Sequence, residues 1–185
     1  MALPNGVNCA GSAPAVAGGQ FIVSNVPIGP VALATLGTNT TDVIQLWMSE
    51  IFIPCNRFVT KVGFLQGGTA TTDNALAAIY DSQGVLIAST PLAGTTLSGA
   101  NTFLELTITL NGSGVAVPGI QLYGPGQYFI GIQGNGTTAG ALQTVPGPYL
   151  LCANSVAAGV FGTLPATITV PTTFTAAKGP SVYVK

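Results

Sequence analysis

Chemistry in this chain has to come from carboxylates and thiols, because the 185 residues include no histidine. That removes Ser-His-Asp and Cys-His catalysis and any imidazole metal site. A glycosidase needs only two carboxyl groups, about 5–10 Å apart across a sugar cleft. Glu50 with Glu105, or Asp73 with Asp81, are the pairs that the five Asp and Glu residues offer. Such a cleft is usually floored by aromatic rings, whereas Trp47 and the five tyrosines are scattered along the chain. Glu105 lies in an alternating run and reads instead as a solvent-face residue, or as the cross-sheet partner of Lys61 or Arg57. Thr71-Thr72-Asp73-Asn74, joined by Asp81 from a neighbouring turn, could offer oxygens to calcium. Calcium takes about six to eight oxygens with several carboxylates, and an Asx-turn accounts for the same residues. No residue is assigned a catalytic, cofactor-binding or metal-ligating role, and no cofactor is expected.

Cys9, Cys55 and Cys152 are an odd set without CxxC spacing, so at least one is free within a monomer. Buried free thiols packed as small hydrophobes are expected. Gly134-Asn-Gly-Thr-Thr138 is glycine-rich but lacks the Gly-Lys-Thr/Ser ending of a phosphate loop and a following helix, so it reads as a turn. Asn39-Thr40-Thr41 and Asn135-Gly136-Thr137 fit the N-glycosylation pattern. No basic or apolar leader follows Met1, so these are read as chance matches, and synthesis in a cytoplasm without a signal peptide is expected.

The elements that would position these residues are strands. Only 5% of the residues are charged, against about 25% in ordinary domains. Glycine (25) and proline (13) cut every long apolar stretch, so no membrane span is expected. A net charge of −1 leaves no electrostatic footprint for nucleic acid or an anionic membrane. Residues 1–39 are small, turn-rich material with short strands at Gln20–Val23 and Val31–Thr35. They read as an extended N-terminal arm lying on a neighbour, or as a frayed terminus. Residues 40–185 alternate strand and turn. Strands are expected at Val43–Pro54, Arg57–Leu65, Ala75–Asp81, Gly84–Ser89, Thr102–Leu110, Gln127–Gln133, Pro148–Ala153, Val160–Leu164, Ala166–Val170 and Ser181–Val184. In Arg57–Leu65 the pattern sets Phe58, Thr60, Val62 and Phe64 opposite Val59, Lys61 and Leu65. Leu76–Tyr80 is the best helical window, and it is short. The predicted fold is all-β, an antiparallel, jelly-roll-like β-sandwich.

From Glu50 onward the ordered elements resemble a family of β-sandwich proteins encoded among the virion-structure genes of tailed bacteriophages. They are Glu50-Ile-Phe-Ile-Pro54, Val59-Thr-Lys-Val-Gly-Phe64, Ala78-Ile-Tyr-Asp-Ser-Gln-Gly84 with Leu86-Ile-Ala-Ser89, and Gly124-Pro-Gly-Gln-Tyr-Phe-Ile-Gly-Ile-Gln-Gly-Asn-Gly136, then Phe161-Gly-Thr-Leu-Pro165, Pro171-Thr-Thr-Phe174 and Gly179-Pro180. The resemblance implies a non-enzymatic virion protein, a capsid decoration or tail-associated component. Its implied partners are major capsid or tail proteins and copies of itself, as a trimer. It supplies no catalytic residues. A carbohydrate- or receptor-binding module of a tail fibre or appendage is the alternative, and an aromatic-plus-carboxylate groove would favour it. An enzyme is the third reading.

Overall fold

The computed structural model describes residues 23–25, 37–40, 45–68, 73–96, 99–135, 141–144, 153–175 and 178–185. Among them are fifteen strands and no helix. The first two are short, β1 (Val23–Ser24) and β2 (Gly37–Thr40). The apolar run before Pro54 forms the long β3 (Gln45–Ile53), followed by β4 (Arg57–Val59) and β5 (Lys61–Leu65). The expected hairpin comes next as β6 (Asn74–Tyr80) and β7 (Leu86–Ser89), so the best helical window is a strand. Its turn places Gly84 at φ +78°, a conformation that glycine adopts without strain. Then come β8 (Thr95–Thr96), β9 (Phe103–Thr107), β10 (Leu110–Asn111) and β11 (Ile120–Leu122). Gly124-Pro125-Gly126 launches β12 (Gly126–Gly134), and β13 (Ala141–Thr144), β14 (Asn154–Ala158) and β15 (Val182–Val184) complete the set.

The strands pair antiparallel into a small sheet, β1-β15-β5-β9, and a large one, β10-β7-β6-β12-β3-β14, with β8 beside β6. Two ribbons, β11-β4 and β13-β2, complete the sandwich-like body. The main core lies between the sheets. Alternate residues of the large sheet (Ile51, Ile79, Ile130, Ile132) meet Val62, Phe64, Leu106, Val182 and Val184 of the small one. A second core covers the other face of the large sheet, where Leu46, Met48, Tyr80 and Phe129 pack under Leu164, Ile168 and Val170. This double burial explains why β3, β6 and β12 read as continuous apolar runs, not as alternation. Tyr80, fully buried, donates its hydroxyl to the Pro165 carbonyl at 3.2 Å and so anchors the covering segment.

Several boundaries differ from expectation. Arg57–Leu65 is two strands with different partners: β4 pairs with β11, whereas β5 pairs with β9 and β15. Val59 is buried with Val62 and Phe64, while Phe58 is 54% exposed, so the chain switches face at Thr60. Thr102–Leu110 likewise divides, since β9 belongs to the small sheet and Leu110 pairs with Ser89 in the large one. Val160–Leu164 is a turn closed by Thr163 N–H on the Val160 carbonyl, with Gly162 at φ +82°. Ala166–Val170 bridges to Val85 only at Thr167. Pro148–Cys152 and Val31–Thr35 lie outside the described residues. Val23–Ser24 pairs with β15, and Gly37–Thr40 pairs with β13.

Candidate functional site

The charge that the chain carries is gathered most densely on the outer face of the small sheet. Register places Glu105 of β9, Gly63 of β5 and Tyr183 of β15 in one row across three strands. Gly63 makes the row work. Lacking a side chain, it lets the Tyr183 ring lie directly over the backbone, in the space that a Cβ at 63 would fill. The Tyr183 hydroxyl thereby reaches Glu105 Oε1 at 2.8 Å. Lys61 Nζ donates to Glu105 Oε2 at 2.8 Å, and Lys185 Nζ pairs with Oε1. Phe103 meets Tyr183 edge-on, with ring centroids 5.3 Å apart and planes at 63°, and stays 42% exposed.

Burial alone would raise the Glu105 carboxyl, but hydrogen bonds from Lys185, Lys61 and Tyr183, with the Lys185 charge, outweigh it and hold the group at about 2. The Tyr183 phenol is pushed up by burial, then by its hydrogen bond to Glu105 and that negative charge. Glu105 is therefore ionised at neutral pH with both oxygens engaged, which suits neither a general acid nor a base. What the cluster offers a ligand is one exposed ring against Tyr183, in the row next to a carboxylate held by two lysines.

Lys61 is the cross-sheet partner expected for Glu105. The expected carboxylate pairs are kept apart. Glu50 lies on the outer side of the large sheet, where Oε2 accepts the Ala153 N–H at 2.8 Å. The body of the sandwich, with sheets packed about 10 Å apart, separates it from Glu105. Asp73 and Asp81 flank β6, roughly 25 Å from end to end at about 3.4 Å per residue. That distance also prevents them from sharing a calcium ion. Asp81 Oδ1 instead accepts the N–H groups of Gln83 and Val85 at 2.9 Å, an Asx-turn. Asn74 and Asn135 tie two loops together through Asn74 N–H on Asn135 Oδ1 at 2.6 Å. No metal-binding group of three or more His, Cys, Asp or Glu forms among the described residues.

Trp47 is a core residue, 6% exposed, and floors no cleft. Cys55, expected as a buried free thiol, is disulfide-bonded. It is buried, as a small hydrophobe would be, but its sulfur is covalently engaged. Cys9 and Cys152 lie outside the described residues, as do Thr71, Thr72, Gly136, Thr137 and Thr138. Beside β7 and β10 a cavity of about 240 Å³ opens between Leu86, Leu92, Leu110 and Leu164, with no charged residue in its lining. Sequence reasoning missed Tyr183, Lys185, Phe103 and Gly63. The one local signal was a glycine in the middle of a strand. Comparison of the chain with protein-family models, with curated proteins and with solved structures gives no match.

Proposed function

We propose that the chain is a non-enzymatic structural protein of a bacteriophage virion, a capsid decoration or head-surface protein with a jelly-roll-like body. It assembles with major capsid or tail proteins and with copies of itself, as a trimer by the family resemblance, and resides in the particle after synthesis in the host cytoplasm. The observation that carries this reading is the distribution of charge. Three of the nine charged side chains are tied into one cluster, and two carboxylates are spent on backbone N–H groups. Phe52, Phe58 and Tyr123, each more than half exposed, flank the β3–β4 and β11–β12 connections. A free monomer so poor in charge is poorly protected against association, and its surface makes better sense packed against partners. The Cys55 disulfide fits a particle that leaves a reducing cytoplasm.

The test is location. Purified particles should contain the chain at fixed stoichiometry by quantitative mass spectrometry, and a chain lacking residues 1–22 should fold yet fail to incorporate. A chain that never co-sediments with particles overturns the reading. Phe103 against Tyr183, one row from Glu105, favours the second reading, a carbohydrate- or receptor-binding module, because a sugar face can stack on an exposed ring while polar groups bond its hydroxyls. Glycan binding lost on Phe103→Ala would support that reading over the first.

A further inference from the structure

Among the described residues, the small sheet ends in an open edge at β9. Gln66 N–H bonds the Thr102 carbonyl and Ile108 N–H bonds the Thr60 carbonyl, so the even-numbered residues of β9 are those that bond β5. The N–H and C=O groups of Phe103, Glu105 and Thr107 therefore point away from the sheet, and among the described residues no strand lies beyond them. Other edges among the described residues are capped, tied at one end or short. β10 is capped by its own hairpin, with Asn111 N–H on the Val115 carbonyl; β14 is tied by Asn154 N–H to Thr173; β1 has two residues. Natural edges are usually guarded by lysine, proline or a bulge. β9 has none of these, and its one charge, Glu105, is drawn back over the sheet by Lys61, Lys185 and Tyr183.

We propose that β9 is a homotypic interface: two copies pair β9 to β9, antiparallel across a two-fold axis, into one continuous sheet with four strands from each copy. The occupant is a second copy on grounds of charge. With Leu106 on the axis, Glu105 of one copy stands opposite Thr107 of the other. Thr107 is itself paired with Lys61, so each carboxylate faces a row that ends in an ammonium group. A net charge of −1 per chain adds no barrier to the approach. Such a pair is isologous and closed. The inference rests on the assembly reading above.

Amide hydrogen exchange on the full chain tests it, with sedimentation at matched concentrations. Glu105 and Thr107 amides should exchange about 100-fold more slowly in the associated form than after dilution to monomer. Thr107→Pro removes one outward N–H and no internal bond, so it should yield monomer whose thermal midpoint matches that of the parent chain diluted to monomer. Thr107→Glu, which sets a carboxylate opposite Glu105 of the other copy, should do the same. Association with these amides still exchanging freely overturns the β9 interface and leaves the assembly reading intact. A chain that stays monomeric at every concentration and never joins particles overturns both. Protection that persists in the monomer and vanishes on deleting residues 1–22 gives the edge to the chain's own arm, which also overturns the proposal.

Discussion

At the scale of the residue, Gly63 and Glu105 bear the most weight. A methyl group at 63 has no space while the Tyr183 ring covers the backbone. Gly63→Ala should therefore displace the ring, cost about 1–3 kcal/mol by overpacking, and break the bond to Glu105. Thermal unfolding would register the loss. A downward move of the Tyr183 phenol pKa toward its ordinary value, read by ultraviolet titration, would show that the row and not the core had failed. Glu105 titrates at about 2 in the fold against 4.5 when unperturbed. The unfolded chain thus binds a proton first as pH falls, and the contribution of Glu105 to stability is complete above about pH 4.5 and lost as pH drops toward 2. Partial exposure limits that contribution to on the order of 1–2 kcal/mol. In Glu105→Gln, the thermal midpoint should lie lower at pH 7 and match the parent near pH 2. A constant difference across that range would show that the loss is of packing and not of charge.

At the scale of the element, Asn25 decides where the arm can begin. It is 2% exposed; its Nδ2 donates to Ser49 Oγ at 2.6 Å and to the Pro180 carbonyl at 2.9 Å, and its Oδ1 accepts the Val182 N–H at 2.9 Å. It thereby joins β1 to both sheets. Asn25→Ala strands three buried partners and should cost about 2–3 kcal/mol, whereas removal of residues 1–8, which keeps all three cysteines, should leave the midpoint within a degree or two. Equal effects of the two changes would mean that the fold depends on the segment before β1. The elements legible in the sequence were those with strong local grammar. The hairpin of β6 and β7 announced itself through Asp81 and Gly84, β12 through Gly124-Pro125-Gly126, and β3 through its apolar run before Pro54. The division at Thr60 was hidden, because both halves alternate and only their different partners reveal the change of face. β2, β13 and β14 are short and lack apolar contrast, so only pairing defines them. The cluster was half legible: Lys61 with Glu105 follows from alternation on neighbouring strands, but Tyr183 arrives through a register that links positions 63, 105 and 183, which no local pattern encodes.

At the scale of the whole molecule, the two cores determine which surfaces remain for partners. The outer face of the large sheet is covered by Leu164, Ile168 and Val170, whereas the small sheet presents its outer row and the β9 edge. The exposed rings Phe52, Phe58 and Tyr123 add an apolar end. On the assembly proposal, these surfaces would bind through backbone hydrogen bonds and apolar contact, and with nine charges in the chain there is little else to bind through. Salt screens exposed charges over about 10 Å at 0.1 M and about 3 Å at 1 M, and it leaves apolar burial undiminished. Association of the chain with itself and with particles should therefore be unchanged or tighter between about 0.1 M and 1 M sodium chloride, followed by sedimentation. Release from particles across that range would instead place the binding energy in ion pairs. The few charges would then have to be the contacts, and the near absence of charge would have no part in assembly.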